Sequence, residues 1–375
     1  MKIGITCYPT YGGSGVVATE LGKELASRGH DVHFVSYALP RRLNQFVERV
    51  FFHEVEISSY PLFEHQLYDL SLTSKMLEVI EYEHLDLMHV HYAIPHATSA
   101  YLAKQILKKE NKNIKIITTL HGTDITLVGL EPSFLPLVKF SIEESDGVTA
   151  VSRFLKEKTL TNYQIEKDIE VIHNFIDTEE FKPECNKQFK EHISTSGEKI
   201  LIHTSNFRPV KRVADTIAIL QKVREKIPAK LMLIGDGPDR SDCERMVREL
   251  NLQKEVLFLG KQDGLSEILS CADIFLLPSQ SESFGLAALE AMSCGLPVIS
   301  SSVGGIPELV VHNETGFIAE FGDVDRMAKY AINLLTNEKK YSIFSKNSRN
   351  RALTVFDKNM IVPQYIKYYE KILAK

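Results

Sequence analysis

Two glutamates eight residues apart are the side chains best suited to chemistry in this 375-residue chain. A helix that begins near Phe284 would place Glu282 on the entering loop and Glu290 about two turns into the helix. A carboxylate can accept hydrogen bonds from two vicinal hydroxyls of a ribose or a sugar, and the first-turn N–H groups of Phe284, Gly285 and Leu286 favour phosphate. The segment predicts a site for an extended ligand, although either acid alone would be commonplace as a helix cap.

A cluster of cations follows another apolar run. Arg208, Lys211 and Arg212 fall within five residues, directly after the predicted strand Ile200–Thr204. Cations at the end of a strand can neutralise a diphosphate as it leaves, whereas a solvated charge run more often lies within a helix. We therefore favour a phosphate-binding role for this segment.

The first half of the chain contributes a glycine-rich turn and a histidine. Gly12-Gly13-Ser14-Gly15 follows the first predicted strand, where glycines let the backbone approach an anion and a helix N-terminus supplies N–H groups. Its spacing is not that of a dinucleotide-binding fingerprint, and a tight turn that needs small residues explains it equally well. His121 stands at the carboxyl end of the predicted strand Lys115–Leu120, where ligand sites form in parallel sheets, so a functional and a structural role are about equally favoured.

These residues need a scaffold of strands and helices. Short apolar runs alternate with segments of helical spacing along the whole chain, which is the pattern of parallel sheets covered on both faces. In the first half the predicted strands are Lys2–Cys7, Val32–Tyr37, Val50–Val55, Leu87–Tyr92, Lys115–Leu120, Gly147–Val151 and Ile169–Ile172. In the second half they are Ile200–Thr204, Lys230–Gly235, Val256–Leu259, Ile274–Pro278, Pro297–Ser301 and Phe317–Ala319.

The predicted fold class is α/β, with two Rossmann-like, doubly wound parallel-sheet domains. A chain of this length suits two domains, and the charged segment Asn174–Gly197 is the best linker. We expect an N-terminal domain over residues 1–180 and a C-terminal domain over 181–355, with a last helix over 356–375 that packs back on the first. Two such domains facing one another would form a ligand cleft.

Composition narrows the possible functions. Apolar residues make up 44% of the chain and charged residues 25%, with a net charge of −5, so no broad basic face for nucleic acid or membrane is expected. The chain enters a strand without a signal-peptide pattern, which favours a cytoplasmic protein. The five cysteines form no C-x-x-C pair, and we expect a reducing setting in which most of them are small core residues.

Together these motifs resemble the retaining glycosyltransferases of family 4, which have the GT-B fold. The likeness covers essentially the whole chain and is carried by the glutamate pair, its continuation Gly295–Val298, the segment Asn206–Arg212, Leu233–Pro238 and the glycine-rich turn. It implies a soluble enzyme that transfers a sugar from a nucleotide diphosphate with retention and without a metal.

The resemblance also implies roles for matched residues. Glu290 would hold the ribose of UDP, Lys211 the diphosphate, and His121 would contact the sugar near the reacting centre. Where the family usually has Gly-Arg, this chain has Ser205-Asn206, and Arg208 is the candidate to supply the missing charge. The catalytic set is His121, Arg208, Lys211 and Glu282. The donor-binding set is Gly12, Gly13, Ser14, Gly15, Asn206, Lys211, Gly235, Glu282, Ser283, Phe284, Gly285, Leu286 and Glu290.

A narrower likeness within the family concerns the substrates. It rests on Ile3–Pro9, His89–His96 and Thr118–Asp124, and implies UDP-N-acetylglucosamine as donor and L-malate as acceptor, in the first step of bacillithiol biosynthesis. The two carboxylates of malate need cations and hydroxyl donors. The candidates in the first domain are Tyr92, Thr119, Thr123, Lys139 and Arg153.

No cofactor or metal ligand set is expected. Asp323-Val324-Asp325 has the D-x-D pattern of some metal-binding glycosyltransferases, but it lies at a predicted helix start and is more typical of a cap. No nucleic acid or membrane partner is expected, and a homo-oligomer stays open. The alternative functions are a family 4 enzyme with a lipid or cell-wall acceptor, a sugar-nucleotide epimerase of the same fold, and a non-catalytic nucleotide-sugar binding protein.

Overall fold

The computed structural model of the chain describes residues 1–10, 12–57 and 66–375. They divide into two compact units, the first made of Met1–Asn174 with Ile361–Lys375 and the second of Phe175–Met360. The division between the units thus falls at the first residue of the predicted linker, whereas we had placed it between residues 180 and 181.

The first unit is built on one sheet of seven parallel strands. They are β1 Lys2–Thr6, β2 Asp31–Ser36, β3 Val50–Glu54, β4 Leu87–His91, β5 Lys115–Leu120, β6 Gly147–Ala150 and β7 Glu170–Val171. Their order is β3-β2-β1-β4-β5-β6-β7, so the direction in which strands are added reverses between β1 and β4. Ligands bind at such a switch point in open α/β sheets.

Helices connect these strands. They are α1 Gly13–Ser27, α2 Tyr68–Glu83, α3 Thr98–Lys109, α4 Leu135–Glu144 and α5 Arg153–Tyr163. In α1 the apolar residues Val17, Leu21 and Leu25 recur at four-residue spacing and are all buried, as the sequence predicts.

The second unit repeats this plan with six parallel strands in the order β10-β9-β8-β11-β12-β13. Its strands are β8 Lys199–Thr204, β9 Ala229–Ile234, β10 Val256–Gly260, β11 Ile274–Leu277, β12 Val298–Ser301 and β13 Gly316–Ala319. Its helices are α6 Lys187–Ile193, α7 Val213–Arg224, α8 Arg240–Glu249, α9 Leu265–Ser270, α10 Leu286–Ser293, α11 Ile306–Leu309, α12 Val324–Leu335 and α13 Glu338–Val355. The switch point lies between β8 and β11.

The last helix, α14 Lys358–Leu373, supplies the residues that return to the first unit. The hydroxyl of Tyr368 accepts a hydrogen bond from the N–H of Val148 at 2.9 Å, and that of Tyr369 lies 2.7 Å from Nδ1 of His89. Both tyrosines are buried, so this helix completes the core around β4 and β6.

The cysteines differ in part from expectation. Cys7, Cys243 and Cys294 are free and buried, as predicted, but Cys185 and Cys271 form a disulfide. The pair is 86 residues apart in the sequence, a separation that indicates nothing about pairing until the fold is known.

The D-x-D segment and the lengths of the helices are also described by the structure. Asp323 is the N-cap of α12, because its side chain accepts from the N–H of Arg326 at 2.9 Å, so the D-x-D segment is a helix start as predicted. In the described part of the chain, no helix has both the length and the apolar composition needed to cross a bilayer.

Candidate active site

At the switch point of the second unit, a lysine and a glutamate from two different loops meet. Lys211 ends a short turn after β8, and Glu282 lies in the loop after β11. Nζ of Lys211 donates to Oε1 of Glu282 at 2.7 Å, and both side chains are largely buried. The hydroxyl of Ser279 donates to the same oxygen at 2.9 Å. The two predicted catalytic residues are therefore brought together as an ion pair.

The helix after Glu282 begins two residues later than predicted. Gly285 has φ +97°, a left-handed conformation that cannot continue a right-handed helix, and α10 starts at Leu286. A Cβ on Gly285 would lie 2.6 Å from Cδ1 of Ile306, so only glycine fits there. Phe284 and Gly285 consequently belong to the loop that presents its backbone at the start of α10.

Glu290 lies in the second turn of α10, as expected from its spacing. It is only 5% exposed, whereas Ser283 and Leu286 are partly accessible. Phe284 is buried and packs edge-on against Phe356 with ring centroids 5.6 Å apart. Its aromatic side chain therefore anchors the loop, and its role toward a ligand is limited to the backbone.

The three cations of the Arg208–Arg212 segment have different surroundings. Arg212 makes two hydrogen bonds to the carboxylate of Asp215, at 2.9 and 2.8 Å, and so stabilises the start of α7. The Arg208 guanidinium is exposed and pairs with no residue among those described. Of these three cations, Lys211 is paired with Glu282 and Arg212 with Asp215, whereas Arg208 has no ion-pair partner among the described residues.

Two further predicted donor residues lie beside this turn. Oδ1 of Asn206 is buried without a hydrogen-bond partner in the described chain. Gly235 follows β9, and its N–H donates to the carbonyl of Gly260 at 2.8 Å. Asn206 therefore offers an unused acceptor, whereas the N–H of Gly235 is already bonded.

In the first unit the glycine-rich turn is part of a helix. Gly12 is the N-cap of α1, and Gly13, Ser14 and Gly15 form its first turn, which corrects our expectation of a loop. A Cβ on Gly15 would lie 2.4 Å from the carbonyl oxygen of Tyr8, so the glycine allows close approach of α1 and the segment that follows β1. The Ser14 hydroxyl lies 2.6 Å from that of Tyr92, the residue that follows β4.

His121 belongs to a group of histidines at the carboxyl ends of β4 and β5. Its Nε2 lies 2.7 Å from Nδ1 of His91, and the two rings stack with centroids 5.0 Å apart. Burial lowers the pKa of His121 to about 3 and that of His91 well below its ordinary value. Both imidazoles are neutral at pH 7, so His121 can contact a ligand as a neutral hydrogen-bonding group and not as a cation.

Thr119 is part of the hydrogen-bond network beneath this group. Its hydroxyl lies 2.6 Å from both Nε2 of His89 and the hydroxyl of Thr149, and the residue is fully buried. This corrects its assignment to acceptor binding, because a group with no accessible surface and two partners cannot meet malate.

Of the other acceptor candidates, three follow the carboxyl ends of strands and one lies elsewhere. Tyr92 directly follows β4, Thr123 begins a turn after β5, and Arg153 is the first residue of α5 after β6. Lys139 instead donates to the carbonyl of Gln164 at 3.1 Å. Gln164 caps the far end of α5, about 16 Å from the start of an 11-residue helix. The Lys139 assignment is therefore wrong, whereas the position of Arg153 is compatible with a site at the strand ends.

Asp124 is a site residue that the sequence analysis did not single out. It is 2% exposed, and its carboxylate accepts from the N–H of Ala93 at 2.8 Å and of Gly122 at 3.0 Å. Burial raises its pKa to about 6. It ties the loops after β4 and β5 together, and its position two residues after Gly122, in the loop that follows β5, was the available signal.

Comparison with known proteins identifies the class. Residues 11–180 match the model of Glycosyltransferase Family 4, and residues 185–351 match that of Glycosyl transferases group 1. The chain belongs to the family 4 glycosyltransferases.

One relative is similar to this chain along nearly its whole length. The chain is 49% identical over 374 residues to the N-acetyl-alpha-D-glucosaminyl L-malate synthase of Bacillus anthracis, covering 100% of this chain and 97% of the relative.

Solved structures show the same fold. A glycosyltransferase from Rickettsia africae has a TM-score of 0.82 at 22% identity, over 99% of this chain and 98% of the other. Anabaena Alr3699/HepE, solved in complex with UDP-glucose, has a TM-score of 0.82 at 20% identity, over 99% of this chain and 100% of the other. The fold is therefore GT-B, as predicted.

Proposed function

We propose that this glycosyltransferase moves N-acetylglucosamine from UDP-N-acetylglucosamine to the hydroxyl of L-malate, with retention of the α configuration and without a metal. The observation that carries the substrates is the 49% identity to the Bacillus anthracis malate synthase along essentially the full length of both chains. The product would be the α-N-acetylglucosaminide of malate, with UDP as leaving group.

The charges of the second unit support the assignment of the donor. Cleavage of the bond between the anomeric carbon and the diphosphate leaves negative charge on UDP. Lys211 has three N–H donors and uses one on Glu282, and Arg208 is exposed, so both cations are available to stabilise that charge. In this proposal Glu290 holds the ribose, and Glu282 holds hydroxyls of the transferred sugar.

Three polar residues of the first unit support the proposed binding of malate. Tyr92, Thr123 and Arg153 lie after three adjacent strands, and Arg153 supplies a positive charge for a carboxylate. In the proposed step the malate hydroxyl attacks the anomeric carbon from the face that UDP leaves, and its proton passes to a diphosphate oxygen. Neutral His121 would hydrogen-bond the sugar without adding charge.

One assay tests the whole proposal. The purified chain is incubated in EDTA with UDP-N-acetylglucosamine and L-malate, with D-malate and with no acceptor as controls. We expect UDP release and a new α-linked glycoside, identified by its anomeric proton coupling, with L-malate alone. UDP release without acceptor, a β-linked product, or activity that only added magnesium restores would each contradict the corresponding part of the proposal.

A further inference from the structure

Two histidines on neighbouring strands face one another at the edge of the first sheet. His33 lies on β2 and His53 on the edge strand β3, where the register pairs His33 with Phe51. Alternate residues of a strand share a face, so His53 lies on the same face as His33. Nδ1 of His33 is 3.0 Å from Nε2 of His53, and the rings stack at 18°.

A carboxylate completes this group. Glu83 is the last residue of α2, and one of its oxygens and the two facing ring nitrogens all lie within 4.8 Å of one another. Across residues 1–10, 12–57 and 66–375, these are the only three histidine, cysteine or acidic side chains grouped closely enough to share a metal ion.

The site is separate from the candidate active site. His33 is the third residue of β2, near its amino end, and Glu83 precedes the start of β4. Nζ of Lys2, the first residue of β1, donates to the carbonyl of Glu83 at 2.8 Å. The group thus lies beside the end of α2 at the edge strand β3, whereas His121 and Tyr92 follow the carboxyl ends of β5 and β4.

The two imidazoles face one another through ring nitrogens, which are the atoms that bind metals. A neutral imidazole has one nitrogen lone pair, and Nδ1 of His33 and Nε2 of His53 are 3.0 Å apart. Metal binding needs only that the lone pairs be on Nδ1 of His33 and Nε2 of His53, which is a change of tautomer. Of the nearby cations, Lys75 is paired with Glu78 at 2.7 Å, and Lys2 donates a hydrogen bond to the backbone carbonyl of Glu83.

We propose that His33, His53 and Glu83 bind one Zn²⁺ ion that fastens the edge strand β3 to β2 and to the end of α2. Two imidazoles, a carboxylate and a water form a tetrahedral set that zinc accepts, whereas magnesium and calcium prefer oxygen ligands. Nitrogens bound to one tetrahedral zinc are about 3.3 Å apart, so the observed 3.0 Å needs little adjustment. The role is structural, because the site lies away from the reacting groups.

The test uses the untagged, full-length protein after removal of metals. Zinc is titrated by calorimetry, bound zinc is counted by mass spectrometry, and Co²⁺ is used as a spectroscopic probe. We expect one zinc per chain, a higher melting temperature, and a tetrahedral Co²⁺ spectrum without the ultraviolet charge-transfer band of a thiolate. The absence of zinc binding by the parent protein would overturn the proposal.

Variants locate the ion. Glu83→Gln and His53→Gln are expected to weaken zinc binding at least about tenfold, since even the loss of a supporting partner costs that much. His33→Gln is a further probe, read only if the circular dichroism of the metal-free variant matches that of the parent. His192→Gln removes an exposed histidine of α6 and is the matched control, with unchanged binding expected. Equal zinc affinity in the parent, Glu83→Gln and His53→Gln would place the ion elsewhere and reject the site.

Discussion

The catalytic candidates of the second unit are charged and lie in loops, whereas the catalytic candidate of the first unit is a neutral histidine that contacts a buried one. Lys211, Glu282 and Arg208 belong to the loops after β8 and β11. His91 and His121 contact one another at the strand ends of the first unit with strongly lowered pKa values. Loop charges can meet a ligand whose own charge changes, while buried neutral rings provide fixed hydrogen-bond directions. Because these histidines are buried in the neutral form, we expect the first unit to be sensitive to acid.

Acidification is therefore expected to destabilise the first unit more than the second. Burial lowers the pKa of His89 and His121 to about 3, that of His96 to about 4, and that of His91 well below its ordinary value. Below pH 6.5, the ordinary pKa of histidine, the unfolded chain binds protons that the native histidines do not bind, so stability falls as the pH approaches the native pKa values. At pH 5 each histidine costs about 2 kcal/mol.

Amide hydrogen exchange at pH 7 and at pH 5 measures how much stability each unit loses. It is recorded in metal-free buffer and corrected for intrinsic exchange rates. Asp124 opposes the trend, because burial raises its pKa to about 6 and its protonation then favours the native state. In the second unit, burial lowers the pKa of His203 to about 4. Protection should fall more in β4 and β5 than in β8 and β11. An equal loss would mean that the histidine group is not the acid-sensitive element.

Removal of the Lys211 charge is expected to give the largest loss of turnover. Lys211→Met keeps most of the aliphatic stem but removes the cation, so kcat should fall about 100-fold, as when one preformed donor to a developing charge is lost. Arg212→Met is the matched control, because Arg212 is already bonded to Asp215. It should change kcat no more than a few-fold. Comparable losses of kcat in the two variants would show that turnover depends on the positive charge of the segment as a whole and not on Lys211 in particular.

Arg153 and Lys139 provide a matched pair of cations in the first unit. Arg153→Ala should raise the KM for malate about tenfold or more, since a charge-assisted hydrogen bond contributes about 1.5–3 kcal/mol. Lys139→Ala should leave it unchanged, because Lys139 is bonded at the far end of α5. The affinity for UDP, measured by calorimetry, should not move in either variant. A higher KM for malate in Lys139→Ala and an unchanged KM in Arg153→Ala would support Lys139 as the acceptor-binding residue.

The smallest effect is expected at Glu290. Glu290→Gln keeps the shape of a residue that is 5% exposed but weakens an acceptor of ribose hydrogen bonds, so UDP binding should weaken by about 1–3 kcal/mol. Glu249→Gln, at the end of α8, is an exposed control in the same unit. Unchanged UDP affinity in Glu290→Gln would remove this residue from the ribose site.

Much of the scaffold could be predicted because apolar runs in a parallel sheet are nearly continuous. Each of the predicted strands is present, and each predicted end agrees with the structure or differs from it by one residue. The proximity of Lys211 and Glu282 also followed from their strand ends, which meet at one edge of the sheet. The start of α10 was missed because only the packed structure shows that Gly285 adopts a left-handed conformation against Ile306.

The remaining errors come from contacts between distant segments. Lys139 was misplaced because sequence spacing does not say toward which end of the sheet a helical side chain points. The disulfide of Cys185 and the grouping of His33 with Glu83 depend on which elements become neighbours. None of these pairs has a local pattern, so no reading of one segment at a time could have found them.

The return of α14 to the first unit has a consequence for the order in which the protein is made. A ribosome delivers β1 to β7 first, then all of Phe175–Met360, and only then the residues that cover His89 and Val148. Until Tyr368 and Tyr369 emerge, the first unit carries an uncovered apolar face and unpaired polar groups at β4 and β6. The earliest residues to be synthesised are therefore among the last to reach their native packing, and the second unit can finish folding before the first.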